Sequence, residues 1–254
     1  MSQFILRLLT IFCYQIDLFI CLIYPKHKII NSLKHLKKAQ LDKKYWDNYY
    51  HQHGKDKKIT EPSSFAQFCL DNFFTNKKLN IVELGSGNGR DAIFFAHHSH
   101  DVVAIDQSTS AIDIKKKSLD AKLNLLLKAQ ALDFTKEDYT QYEKIDVFYS
   151  RFTLHSITKS EEASLLPNVY SALTSNGLFC IEVRTTKDPL FGIGEPCGDN
   201  IFIFDNHKRR FIDSNVFRKQ VADLGFKEIY FIEENNLSIY KNDNPVLMRI
   251  ILKK

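Results

Sequence analysis

The sequence has no internal repeats and no low-complexity stretches, so solenoids, propellers and disordered arrays are excluded. Its five cysteines (Cys13, Cys21, Cys69, Cys180 and Cys197) show neither CxxC nor CxxxC spacing. An odd, scattered set argues against a disulfide framework or a zinc site and reads as reduced thiols of a cytoplasmic protein. An uninterrupted apolar run is missing as well. Residues 4–24 are mostly apolar but are broken by Arg7, Thr10, Gln15 and Asp17. Asp17 near the middle of a span would cost roughly 2.5–3.5 kcal/mol, so the segment is a poor transmembrane helix. With no basic stretch before it and no small-residue cleavage site after it, it is a poor signal peptide too.

Excess charge of one sign is absent from most of the chain. The net charge is +5, yet residues 1–44 carry Arg7 and seven lysines against Asp17 and Asp42, or +6, which leaves −1 on residues 45–254. A nucleic-acid partner gets no support from that larger part. Within 1–44, Arg7, Thr10, Tyr14, Asp17, Cys21 and Tyr24 recur at helical spacing as a narrow polar stripe. After Pro25 the sequence turns basic and amphipathic, with Ile29, Ile30, Leu33 and Leu36 on one side. Two expectations stay open for this extension: contact with the inner face of a membrane, or packing on protein, a homodimer partner included.

What is present from Tyr45 onward is a globular grammar. The whole chain is 44% hydrophobic, with 20 Phe and 11 Tyr available for an aromatic core. YWDNYYHQHG reads as a short aromatic helix ending at Gly54, and Pro62 opens another that ends before Asn76. Strands over 79–84, 101–106, 144–150 and 178–185, and one contained within 123–132, alternate with helices. Thr158 and Glu161 form a capping box, Pro167 interrupts the helix that follows, and Asn176-Gly177 reads as a turn. A helix from Ser214 to Leu224 is closed by Gly225, and FKEIYFIEE and VLMRIILKK supply two last strands. The expected fold is α/β: a doubly wound, mostly parallel seven-stranded sheet with an N-terminal helical extension. The domain boundary falls between residues 44 and 45.

The sharpest motif is Ile81-Val82-Glu83-Leu84-Gly85-Ser86-Gly87-Asn88-Gly89. Its glycines let backbone turn tightly and approach a ligand. Asp106 ends the next strand, where an acid accepts both ribose hydroxyls of a nucleoside. A nicotinamide site competes, but it wants GxGxxG, and the third glycine's place is taken by Arg90. Glu83 also suits an ammonium group, which S-adenosylmethionine has, and opposes a pyrophosphate. The cofactor expected is S-adenosyl-L-methionine.

These residues resemble class I S-adenosylmethionine-dependent methyltransferases over nearly all of 45–254. GSGNGRDAIFFA, with flanking ELG and AIDQS, is similar to the branch that includes tellurite-resistance-type enzymes. The resemblance implies that Gly85, Ser86, Gly87, Gly89 and Arg90 line the methionine part, with Glu83 at the amino end. It further implies Asp106 at the ribose, Gln107 and Phe134 beside the adenine, and Asp133 on the adenine amino group, unless Asp133 merely caps its loop. Ser150 and Arg151 would face the reactive methyl.

Ligands of open α/β sheets bind beyond the carboxyl ends of the strands. Three segments send cationic residues there: Arg151 and His155 after the fourth strand, Arg184 at the fifth, and His207, Arg209 and Arg210 on a long loop over about 186–212. Guanidinium forks match phosphate and carboxylate oxygens, so an anionic acceptor is expected. The alternatives are a solvated loop tip at Lys208–Arg210 and a nearby acid paired with Arg184. SRFTLHSI, IEVRTTKDPL and FDNHKRRFID resemble methyltransferases of bacterial surface-polysaccharide loci, including O-methyl phosphoramidate capsule decoration. That resemblance implies a phosphate, phosphoramidate or phosphosugar oxygen as acceptor.

His155 is the first candidate base if the acceptor is a neutral hydroxyl, and Tyr50 either closes over the cofactor or simply packs. His97, His98 and His100 lack a carboxylate context for a metal and are expected at the surface; no metal is expected. Two further readings stand: a methyltransferase acting on chalcogen oxyanions or thiols, and a non-catalytic cofactor-binding module.

Overall fold

In a computed structural model, the described residues are 44–52, 61–74, 77–118, 123–204 and 207–254. The chain divides into two units, residues 1–45 and 46–254. The apolar and basic extension over 1–43 lies outside the described residues, as does Gly54. No helix among the described residues is long and apolar enough to cross a membrane.

The second unit is built on a seven-stranded sheet in the order β3-β2-β1-β4-β5-β10-β9. Its strands are β1 (Asn80–Leu84), β2 (Asp101–Asp106), β3 (Leu127–Ala131), β4 (Ile145–Arg151), β5 (Leu173–Arg184), β9 (Lys227–Glu234) and β10 (Leu247–Lys253). The first five strands run parallel, and β10 enters antiparallel between β5 and β9. Alternation along the strands divides the core. Val82, Leu84, Phe148, Phe179 and Ile181 pack on one face, and Ile81, Val102, Val147, Tyr149 and Cys180 on the other.

Helices cover both faces. Helix α1 spans residues 44–52, followed by α2 (Ser64–Asn72), α3 (Arg90–His97), α4 (Thr109–Ser118), the single turn α5 (Leu123–Leu126), α6 (Lys159–Ala172) and α7 (Ser214–Asp223). The capping box expected at Thr158 and Glu161 is formed in both directions. Pro167 lies inside α6, and Pro167 and Ala163, the residue whose carbonyl loses its bond, are both on the exposed face, where the lost bond costs least. Helix α7 ends as expected: Gly225 has φ +101°, and the Gly225 and Phe226 amides bond back to Ala222 and Val221, a Schellman closure.

Within 123–132 the strand is β3, preceded by the helical turn at Leu123–Leu126. Two readings of the sequence differ from the structure. Asn176-Gly177 does not end an element: with Asn176 at φ +66° it forms an irregularity inside β5, and the register with β4 slips there. The segment read as a long loop contains a second sheet of β6 (Glu195–Pro196), β7 (Ile201–Phe204) and β8 (His207–Arg210). Phe191, Phe202 and Phe211 pack together beneath it, with ring centroids 5.4–6.1 Å apart.

Candidate functional site

Strand order reverses between β1 and β4, because successive crossovers move outward in opposite directions from that point. The crevice opens beyond the carboxyl ends of these strands. A cavity of about 720 Å³ lies there, within the range of small-molecule sites.

Its cofactor end is acidic. Glu83, near the end of β1, is buried and lines the cavity. Gly85 and Gly87 follow at φ +66° and +53°, with room for no side chain. A β-carbon on Gly85 would lie 2.4 Å from Thr153 Cγ2, and one on Gly87 would lie 2.1 Å from Tyr50 Oη. Gly89 is the left-handed N-cap of α3. Asp106 holds this loop in place: one carboxylate oxygen accepts from the Gly87 amide at 2.7 Å and the other from the Ser108 amide at 2.8 Å. Ser86, Arg90, Gln107 and Phe134 also line the cavity.

Two expected cofactor residues are placed elsewhere. Asp133 is not among the lining residues; its carboxylate accepts from the Thr135 amide and hydroxyl and pairs with Lys136. It therefore caps its own turn, and these partners outweigh burial in holding its pKa down. Ser150 is fully buried behind the cavity, its hydroxyl without a hydrogen-bond partner.

The opposite end is basic, with Arg151, His155, Arg184, His207 and Arg209 on its wall. Strand alternation in β8 explains who is missing. His207 and Arg209 share one face, while Arg210 reaches the other side to meet Glu162 and the Leu154 carbonyl. Arg210 is thus a buried tie between β8 and α6, not part of the cavity.

Two of the remaining arginines are held by acids. Arg151 Nε donates to Glu182 at 2.8 Å, and its other arm to the Ser238 hydroxyl at 2.7 Å. Arg184 pairs with Asp188 at 2.9 Å and with Asp243. The alternative of an acid beside Arg184 is therefore realised twice.

The imidazoles are held neutral. Burial, then Arg209 and Arg184, push the His155 pKa well below the ordinary value, and the same causes take His207 down to about 4. His155, the candidate base for a neutral hydroxyl, is thereby kept unprotonated and weakly basic. His207 meets Trp46 edge-on at 5.4 Å.

Helix α1 docks through Asp47, which accepts from the Ser108 hydroxyl at 2.7 Å. The Tyr50 hydroxyl then rests over Gly87, and burial followed by the Asp106 carboxylate drives its pKa far up. It stays protonated and able to donate. His97 and His98 are exposed as expected, but His100 is buried, with Nδ1 accepting from the Leu79 amide. No metal-binding cluster occurs among the described residues.

Several residues at the cavity gave little sequence signal. Asp91 joins Ser63 and Tyr149 in a buried network at the cavity edge. Phe152 lines the cavity at φ +55°, strained for an aromatic residue, beneath the Arg151 guanidinium at 4.3 Å. The loop between β9 and β10 supplies Asn236–Tyr240, Asp243 and Pro245. Only Phe152 had a usable clue, its place directly after β4.

These residues fit S-adenosylmethionine. A buried carboxylate at Glu83 suits an ammonium, Gly85 and Gly87 leave no space for a β-carbon, the Asp106 carboxylate lines the cavity, and Phe134 offers an apolar ring. A family profile for a methyltransferase domain matches residues 81–177. No curated protein sequence matches the chain.

Solved structures share the fold. 1,6-Didemethyltoxoflavin-N1-methyltransferase of Burkholderia thailandensis, solved with 1,6-didemethyltoxoflavin and S-adenosylhomocysteine, superposes with a TM-score of 0.63 at 14% identity, covering 86% of this chain and 89% of its own. TehB of Haemophilus influenzae gives 0.60 at 15%, covering 82% and 67%. The glycopeptide N-methyltransferase MtfA with S-adenosylmethionine gives 0.57 at 13%, covering 75% and 94%. At such identities the likeness speaks for the fold alone. The profile match spans the strands and loop that carry Glu83 and Asp106, so residues 81–177 are similar to a methyltransferase domain and are set in the fold that these S-adenosylmethionine-binding enzymes share.

Proposed function

We propose that the protein transfers the methyl group to an oxygen of a small anionic acceptor of the phosphate, phosphoramidate or phosphosugar class. The observation that carries this is the division of the cavity by charge. Glu83, Asp91 and Asp106 outnumber Arg90 at the β1–β2 end, and Arg151, Arg184 and Arg209 outnumber Asp243 at the other. A sulfonium cofactor suits the first and an oxyanion the second. The resemblance of SRFTLHSI and FDNHKRRFID to enzymes of surface-polysaccharide loci supports the same class and suggests capsule modification as its setting.

The bound cofactor supplies an electrophilic methyl on a positive sulfur. The protein's part is to hold a nucleophile in line and exclude water. An ionised acceptor oxygen needs no base, which agrees with an imidazole at 155 that stays neutral. Arg209 and the neutral His155 and His207 orient the non-attacking oxygens, leaving the attacking one least paired. Arg151, which Glu182 engages, also shapes the wall.

The test is turnover across a panel of phosphomonoesters, phosphoramidates, thiols and chalcogen oxyanions. Replacing Arg209 by Ala should reduce kcat/KM for the phosphorylated acceptors by about ten- to a hundredfold, as expected for one charged hydrogen bond. Affinity for S-adenosylhomocysteine should be unchanged. Turnover confined to thiols or chalcogen oxyanions would refute the proposal, and so would an Arg209→Ala enzyme of full activity on phosphomonoesters.

A further inference from the structure

The β9–β10 loop, which forms one wall of the acceptor end, is tied down by three arginines from the adjacent strands β4, β5 and β10. Arg151 donates to Ser238 Oγ, Arg249 donates to the Leu237 carbonyl at 2.8 Å, and Arg184 pairs with Asp243. The two acids on Arg184 are not equivalent. The Asp188 side chain is wholly buried, and its second oxygen accepts from the Leu190 amide at 2.8 Å. The Asp243 side chain is 43% exposed, sits on the turn closed by the Tyr240 and Asp243 backbones, and lines the cavity.

Resting on the anionic-acceptor reading, we infer that Asp243 is an exchangeable counter-anion. It occupies the outer arm of Arg184 until an acceptor oxyanion takes its place.

Electrostatics favours exchange over addition. An oxyanion arriving beside an undisplaced Asp243 would meet a like charge next to a guanidinium already neutralised twice. If Asp243 swings outward, Arg184 keeps one buried partner and one ligand, so its charge stays balanced. The displaced carboxylate is already partly in water, so releasing it carries a small desolvation change. Asp188 cannot make the same move, because leaving would strand a buried guanidinium. The site therefore discriminates. A neutral molecule of similar shape cannot replace the carboxylate and would leave the wall closed.

The experiment is calorimetry with inorganic phosphate in the presence of saturating S-adenosylhomocysteine, which keeps the anion out of the cofactor end. Asp243→Asn should bind phosphate about tenfold or more tightly than the unaltered protein, since the internal competitor has lost its charge. The Arg184→Ala, Asp243→Asn double variant should lose that gain, and thermal unfolding checks that each variant is folded. Equal affinities for the unaltered protein and Asp243→Asn would overturn the exchange while leaving an anionic acceptor intact. A gain that survives in the double variant would overturn it equally. Absence of phosphate binding in both the unaltered protein and Asp243→Asn would overturn the exchange and the anionic-acceptor reading together.

Discussion

At Gly85 the backbone turns left-handed at the point where β1 hands over to the cofactor loop, and Thr153, just beyond β4, fills the space that a β-carbon there would need. Thr153 is not free to yield, because its hydroxyl donates to the Leu84 carbonyl at 2.8 Å. Gly85→Ala adds a conformational cost of about 1–2 kcal/mol to the clash with Thr153. Denaturant unfolding should show a loss of about 2 kcal/mol or more, accompanied by weaker cofactor binding.

The two cavity imidazoles lead to a second expectation, for pH. Each has a folded pKa below its unfolded value near 6.5, His207 at about 4 and His155 also well down. Between those values the unfolded chain binds more protons, so stability rises with pH. The His207 contribution is complete above about pH 6.5 and is lost as pH falls toward 4, by up to about 1.4 kcal/mol per pH unit, and His155 acts in the same direction. His207→Gln should flatten the melting-temperature profile in that window and leave it unchanged at pH 8. A profile as steep as that of the unaltered protein would show that His207 is not held neutral.

Among the elements, the strands and most helix ends were legible because their signals are local: alternation, a capping box, a glycine after the last turn. The β6–β8 sheet was not, since its strands are short and set among Gly192, Gly194 and Gly198, which read as loop. Partners of the arginines were illegible for another reason: they are set by register between strands distant in sequence. Arg151, Glu182 and Arg249 stand opposite one another on β4, β5 and β10. Glu182 is fully buried, with one oxygen on each guanidinium, at 2.8 Å and 2.6 Å. No spacing in the sequence reveals that row. An acceptor role for Arg151 looked plausible because the acid that engages it lies 31 residues away. Glu182→Gln would leave two largely buried guanidiniums without their shared counter-charge. A loss of about 3–5 kcal/mol is expected by chemical denaturation. If the loss is under 1 kcal/mol, the row is ornamental to stability and the arginines find water instead.

For the whole molecule, the uneven charge and the division into two units point the same way. The second unit, residues 46–254, contains the whole seven-stranded sheet, both apolar clusters and every residue lining the cavity. The excess of +6 lies in residues 1–44, next to the apolar stretch 4–24. Attachment and chemistry should therefore separate. We propose that residues 1–40 bind the anionic face of a membrane peripherally, each basic residue near the surface adding up to about 1 kcal/mol. A chain beginning at Lys43 retains α1, including Asp47 and Tyr50 over the cofactor loop. It should bind S-adenosylhomocysteine with unchanged affinity. The full chain should float with vesicles containing phosphatidylserine at low salt and be released as salt is raised, whereas the shortened chain should stay behind. A full chain that fails to float but sediments as a dimer, with the shortened chain monomeric, would make the segment an assembly device and end the membrane proposal. Lost cofactor affinity in the shortened chain would mean that the extension also supports the fold around the site.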